Sequence, residues 1–338
     1  MQVQIIAELA QGFEGRPEQA RLLMKAAAAA GADAAKYQLV YADELATPDY
    51  KHYELFRSLE MPDKVWQDLA AYATELGIQL HLDIFGPKSL ALAEKCGVTA
   101  IKLHGTDIAN LGLLEHVAAS SIGTVLLGAG GAHADELKRA MQVLSKKCVV
   151  VLLGFQGYPT PNETNQISRI PRVVKQFTKD FPQASVGFAD HADPASPLRF
   201  ALVATAVGAG ATTIEKHFTL AGVMKLEDHE SALNPDDFAV FTSVIRDCAK
   251  ALGQSTDAND FGMSESERTY RKMIRRHVVA GRDIPAGSSL KPADLALKRT
   301  AANDALTSLD EAYGREVLRD MGANQPMTPA TIRAGATK

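Results

Sequence analysis

Over its first 253 residues the chain repeats one pattern: a short apolar run, a turn, then a longer stretch whose apolar positions recur every three to four residues. The short runs are Val3–Glu8, Ala34–Gln38, Ile78–Asp83, Ala100–His104, Thr124–Leu127, Cys148–Leu153, Ser185–Phe188 and Thr213–His217. Brief runs bounded by turn residues predict strands. Helical periodicity marks Pro17–Ala30, Asp63–Leu76, Ser89–Cys96, Ala134–Leu144 and Ile170–Phe181, with Pro235–Leu252 after the last strand. Gly31, Gly77, Gly97, Gly123 and Gly210 each stand shortly before a strand, where a glycine ends the preceding helix well. Eight strand–helix pairs over about 250 residues predict an α/β fold, a (β/α)8 TIM barrel. A doubly wound open sheet is the alternative, but the first strand lacks the Gly-x-Gly-x-x-Gly turn of a dinucleotide site.

Past Gly253 the pattern breaks. Residues 254–269 are polar and small and read as a linker, and 270–338 carries short strand signals, His277-Val-Val-Ala280 and Leu295-Ala-Leu-Lys298, between turns. The expected organisation is a catalytic barrel over 1–253 and a small β-rich domain over 270–338, whose thin core leans on the barrel or on a second subunit.

Composition narrows the function. With 338 residues, 46% of them apolar, and a formal charge of −4 spread along the chain, neither disorder nor a nucleic-acid footprint is expected. No apolar run reaches the ~18 residues of a membrane span, and the N-terminus lacks a signal-peptide pattern. Cys96, Cys148 and Cys248 read as buried free thiols in a reducing cytoplasm.

Strand alternation sorts the polar residues by face. It turns Glu8, Lys36, Gln38, His81, Asp83, Lys102, His104, Glu215, His217 and His191 inward, late in their strands, where this fold places its active sites. A lone lysine or histidine is as often a solvated edge or a hydrogen-bonded core group. Lysine and glutamate are almost never buried without partners, however, so the joint occurrence predicts a functional site. Histidines beside lysines and carboxylates suit divalent-metal catalysis: imidazoles hold Mn²⁺, Zn²⁺ or Fe²⁺ to polarise a carbonyl, Lys36 and Lys102 hold an anion, and Glu8 handles a proton. Gly128-Ala-Gly-Gly131 reads equally as a backbone anion cradle or a plain turn, and Tyr158-Pro-Thr-Pro161 as a pocket-lining loop or a plain one.

Several strings, in order, resemble the sialic acid (N-acetylneuraminate) synthase family, which includes the legionaminic and pseudaminic acid synthases. They are Ala32-Asp-Ala-Ala-Lys-Tyr-Gln38, Ile101-Lys-Leu-His-Gly-Thr-Asp107, Tyr158-Pro-Thr-Pro161, Gly187-Phe-Ala-Asp-His191, Ile214-Glu-Lys-His-Phe-Thr219 and Glu227-Asp-His-Glu-Ser-Ala-Leu233. The tail from Arg275 to Gly287 is similar to the family's SAF (antifreeze-like, β-clip) domain. The resemblance implies a homodimer in which each SAF domain caps the partner's barrel. It also implies metal-dependent condensation of phosphoenolpyruvate with an amino-sugar aldehyde, with phosphate release. Mn²⁺ is the expected metal, with Mg²⁺, Zn²⁺ and Fe²⁺ as alternatives. By motif position His191 and His217 are the metal ligands. Glu8, Lys102 and Asp228 form the catalytic set, and Lys36, Gln38, Asp83, Gln156, Tyr158 and Arg276 form the substrate-binding set.

The chain departs from the family pattern where hydroxyls would bind the donor's phosphate. Leu82-Asp-Ile-Phe85 replaces Ser-Thr-Pro-Phe, Gly128-Ala-Gly-Gly131 replaces Ser-Thr-Gly-Met, Gly105 stands for a serine, and so does Ala189. His81 and His104 are additional, and together with Asp83 they are candidate extra metal ligands. The sequence thus predicts a retained or enlarged metal half and a rebuilt donor half. Two other functions stay open: an aldolase, lyase or isomerase with a non-phosphorylated substrate, and a non-catalytic ligand-binding protein.

Overall fold

The computed structural model describes residues 2–177, 179–253 and 259–333. The chain divides into two compact units, Met1–Gly253 and Gln254–Lys338. The first is a closed barrel of eight parallel strands in chain order. They are β1 Gln4–Ala10, β2 Ala34–Gln38, β3 Gln79–Ile84, β4 Ala100–Leu103, β5 Thr124–Gly128, β6 Cys148–Leu153, β7 Ser185–Asp190 and β8 Thr213–His217. The helices are α1 Pro17–Ala29, short α2 Ala42–Leu45 and α3 Tyr53–Leu59, α4 Asp63–Leu76, α5 Pro87–Lys95, α6 Leu111–Ala119, α7 Ala134–Val143, α8 Arg169–Phe177, α9 Ala201–Gly208 and α10 Pro235–Ala251.

Alternation along the strands decides what goes where. Ile5, Ala7, Tyr37, Leu82, Ile101, Val125, Val151, Phe188 and Ile214 point outward into the main core, which they share with Leu23, Trp66, Leu114 and Phe238 of the helices. Phe13, Tyr37 and Trp66 meet edge to face at 5.5–6.1 Å between ring centroids, and the Tyr37 hydroxyl donates to the Ala20 carbonyl at 2.6 Å. A separate small cluster (Ile6, Ala34, Leu126, Val150, Leu152) fills part of the barrel interior. Its upper members come from β5 and β6, so one side of the interior is apolar and the other carries the charged residues.

Two features fix the ends of the strands. The β1–β2 register shifts between Glu8 and Ala10, a bulge in which Ala10 adopts φ 45°. The Ala10 N–H then donates to Glu8 Oε1 at 2.8 Å, so the irregularity aims that carboxyl. On the outer face, Lys216 Nζ lies 2.8 Å from Asp190 Oδ2, and both side chains are fully buried. The same ammonium donates to the Ala192 carbonyl at 2.9 Å. This ion pair ties the end of β7 to the end of β8, next to His191 and His217.

The second unit holds its own core around Val278, Ala280, Ile284, Val317, Met321 and Met327. It is built on an antiparallel pair, β9 His277–Ala280 and β10 Leu295–Lys298. The segment expected to be linker needs correcting. It contains the start of helix α11 (Glu265–Ile274), capped by the Ser264 hydroxyl, which accepts from Glu267 N; residues 254–258 of that expectation lie outside the described residues. The cysteines are unpaired but not buried: Cys148 is exposed, Cys96 and Cys248 half-buried. Cys148 is the first residue of β6.

Candidate active site

Five charged side chains meet inside the barrel. Lys36, from the middle of β2, is fully buried. Its ammonium directly contacts Glu8 Oε2 and lies 2.7 Å from Asp83 Oδ1 and 3.6 Å from Glu215 Oε2. Lys102 lies 2.6 Å from Glu215 Oε1, 3.8 Å from Glu8 Oε2 and 3.9 Å from Asp83 Oδ2. Neighbouring strands bring these groups together: Glu8 is level with Lys36 and with His217, and Asp83 is level with Lys102.

Two ammoniums against three carboxylates leave one formal negative charge in a dry interior, and such a cluster retains a proton. Glu8 is where it sits. Burial, countered by Lys36 and reinforced by Asp83 and Glu215, pushes its carboxyl from 4.5 up to about 8. Glu215 goes the other way: burial raises it, but Lys102 and Lys36 outweigh burial and hold it well below the carboxylate range. Lys36 is raised above its ordinary value, because Asp83, Glu215 and Glu8 overcome its burial. Glu215 is the functional residue whose importance sequence reasoning missed. Alternation placed it inward, but only the closed barrel shows it bridging both lysines.

The Glu8 shift fixes a sign. Its folded-state pKa lies above the ordinary 4.5, so its contribution to stability is complete below about pH 4.5 and is lost as pH rises through about 8. Urea unfolding at intervals across that window is expected to show this loss, and Glu8→Gln is expected to flatten it. An unchanged slope in Glu8→Gln would place the retained proton elsewhere.

Above the cluster stand the two histidines expected to hold metal. The His191 and His217 rings lie 5.0 Å apart. Tyr158 packs edge-on against both, at 5.4 and 5.8 Å. Burial drives His191 down to about 4, and burial together with His191 drives His217 well below its ordinary value. Both are therefore neutral at pH 7, the form that binds metal. Among the described residues the buried His191 Nδ1 has no hydrogen-bond partner, and a lone pair so placed suits a cation. The backbone around it is fixed: Thr160 N and Ser231 Oγ both donate to the His191 carbonyl at 2.8 Å. Asp228 Oδ2 is 3.7 Å from His217 Nδ1. Burial, aided by Glu227 and Glu230, raises Asp228 to about 7. Its backbone has φ 59°, an uncommon conformation that aspartate tolerates better than most residues.

The candidate extra ligands His81, His104 and Asp83 each have a partner within the fold. Among the described residues, no group of three or more His, Cys, Asp or Glu side chains is arranged to hold a metal. His81 lies earlier on β3 than Asp83, and its Nε2 donates to Gln79 Oε1 at 3.0 Å. Burial and nearby Lys36 take it down to about 4. His104 is held between the Thr106 hydroxyl at 3.1 Å and the Gln156 amide, which donates to its Nε2 at 2.9 Å. Asp83 is committed to Lys36. The residues present fit a divalent ion, which His191 and His217 would hold.

Gln38 accepts from Gln11 Nε2 at 2.7 Å. Gln156 lines a small cavity beside Lys102, together with Gly105, Gly128, Gly130, Gly154, Ala189 and His191. Arg276 belongs to the second unit, immediately before β9. The glycines have a packing reason. A Cβ on Gly128 would lie 2.7 Å from Gly105 N, one on Gly130 2.4 Å from Gly154 O, and one on Gly154 2.3 Å from Ala189 O. At Gly128, Gly130 and Gly154 the neighbouring backbone thus leaves no room for a side chain, whereas a Cβ at Gly105 would make a tight contact of 3.3 Å with Gly130 O.

Comparison with known proteins finds relatives over most of the chain. The NeuB family model matches residues 23–257, and the SAF domain model matches residues 275–333. The chain is 31% identical over 263 residues to the spore coat polysaccharide biosynthesis protein SpsE of Bacillus subtilis, covering 74% of this chain and 68% of that protein. It is 28% identical over 331 residues to an N,N'-diacetyllegionaminic acid synthase of Campylobacter jejuni, covering 92% and 94%. The crystal structure of N-acetylneuraminic acid (sialic acid) synthetase from Leptospira borgpetersenii superposes with a TM-score of 0.72 at 25% identity, covering 81% of this chain and 93% of that one.

Proposed function

The chain belongs to the NeuB family, and on that premise we propose that it is a carbon–carbon bond-forming synthase making a nonulosonic sugar acid. Its donor is phosphoenolpyruvate and its acceptor an N-acylated amino-sugar aldehyde. The methylene carbon of the donor bonds to the aldehyde carbon, the aldehyde oxygen takes up a proton to become a hydroxyl, and water adds at the donor's phosphate-bearing carbon as phosphate departs. The observation that carries this reading is the buried Lys36–Lys102–Glu8–Asp83–Glu215 cluster directly below two neutral histidines. In it the lysines bind the donor's anionic end, and Glu8 keeps a proton up to about pH 8. Asp228 and Tyr158 border the histidines on the acceptor side. A divalent ion, Mn²⁺ in this reading, would be held by His191 and His217 and would supply Lewis acidity toward the aldehyde oxygen. Incubation with Mn²⁺, phosphoenolpyruvate and N-acetylmannosamine or a diacetylated amino-sugar analogue is expected to release phosphate only when both organic substrates are present. Release independent of the aldehyde would contradict condensation.

We also propose that the working enzyme is a homodimer in which Arg276 of one copy reaches the sugar bound in the other barrel. The unpaired cysteines are in keeping with a reducing cytoplasm. Mixing inactive Arg276→Ala and His191→Ala proteins is expected to restore up to about a quarter of the activity, because random pairing builds one intact site in half the dimers. No recovery after verified subunit exchange would place Arg276 over its own barrel.

A further inference from the structure

Each ammonium in the barrel already has three carboxylates within 4.0 Å: Lys36 and Lys102 share Glu8, Asp83 and Glu215. The cluster is therefore saturated with anions before any donor arrives. Asp83 is the member of the cluster that the family pattern does not supply. The Glu8 carboxyl also accepts from the Ala10 backbone, whereas the Asp83 and Glu215 carboxyls contact these two ammoniums; of those two, Asp83 is the one standing in Leu82-Asp-Ile-Phe85, where the family pattern has Ser-Thr-Pro-Phe. The cavity beyond Lys102 adds Gln156, His191 and glycine backbone but no second cation.

We propose that Asp83 is a built-in counter-anion that sets donor selectivity: it sits on Lys36 and Lys102 where a donor's carboxylate would sit, and a multiply charged donor binds only by displacing it. This rests on the reading above that the donor seats on these lysines. The groups facing Asp83 are Lys36 from β2, Lys102 from β4, Glu8 from β1 and Glu215 from β8, with His104 just past the end of β4. A singly charged three-carbon acid has to displace the same contacts but brings no second charge in need of a cation. The penalty therefore grows with donor charge.

Direct binding tests this without turnover. Phosphoenolpyruvate and pyruvate are titrated calorimetrically into wild type, Asp83→Asn and Asp83→Thr, each checked for native circular dichroism. Asp83→Asn is expected to tighten phosphoenolpyruvate by about tenfold or more, and pyruvate by less. Asp83→Glu, which keeps the charge, is expected to stay close to wild type. Asp83→Thr is the second neutral variant and is expected to behave as Asp83→Asn does. Unchanged or weaker phosphoenolpyruvate binding in a folded neutral variant overturns the proposal, as does failure of every variant to bind it. Phosphate release by wild type judges the synthase reading separately, so the two can fail independently.

Discussion

Lys36→Met is expected to abolish turnover and to cost about 3–5 kcal/mol of folding stability, the range found when one partner of a buried ion pair is removed. The ammonium is fully buried and touches three carboxylates. Taking it away leaves Glu8, Asp83 and Glu215 around Lys102 alone. The excess negative charge can be relieved only by taking up protons, so the defect should shrink as pH falls and grow toward pH 9. Adding Asp83→Asn to Lys36→Met should recover part of the loss, since the carboxylate left without its closest partner goes with it. Urea unfolding of the two variants across pH measures both effects. The exposed Lys64–Asp68 pair is the control: Lys64→Met is expected to leave stability unchanged, as most solvated ion pairs contribute little. A Lys36→Met protein as stable as wild type at pH 8 would mean that the cluster is not the dry, coupled assembly described above.

The second large effect belongs to the histidines. His191→Ala and His217→Ala are each expected to weaken divalent-metal binding by well over 100-fold, beyond the 10–100-fold that loss of a ligand's supporting group costs. Turnover should fall by a factor of about 1,000 or more. His81→Asn and His104→Asn are the informative comparison. Their rings are engaged with Gln79 and with Thr106 and Gln156, so neither substitution is expected to change the metal content after dialysis against Mn²⁺. Stoichiometry measured by elemental analysis separates the cases without reference to activity. Loss of metal in His104→Asn equal to that in His191→Ala would restore the larger ligand set that the sequence suggested.

Much of this was legible in the chain because a parallel barrel writes itself as short apolar runs with a period of two in burial. Glu8, Lys36, Asp83, Lys102, Glu215 and His217 could be assigned to the inner face from their neighbours alone, since Ile5, Tyr37, Leu82, Ile101 and Ile214 had to face the helices. Two helices were harder to see. Leu111–Ala119 and Ala201–Gly208 are apolar over most of their surface, so neither has the polar stripe that makes a period visible. Pairing within the site was not legible at all. Alternation gives a face but not a height, and the height decides that Asp83 meets Lys36 while His81 stays with Gln79. Gly128-Ala-Gly-Gly131 could be read as an anion cradle or a turn because the reason for Gly128 and Gly130 is contact with backbone distant in sequence. Helix α11 was hidden by the polar segment leading into it.

Condensation itself is best tested by following carbon. With phosphoenolpyruvate labelled with ¹³C at its methylene carbon, Mn²⁺ and an N-acylated amino-sugar aldehyde, the labelled carbon should appear in the product as a ring CH₂ bonded to the former aldehyde carbon. Carbon NMR with an aldehyde ¹³C-labelled at its carbonyl would show that bond as a new one-bond coupling. Label recovered only as pyruvate or unreacted donor, with the aldehyde unchanged and metal bound at His191 and His217, would contradict the account.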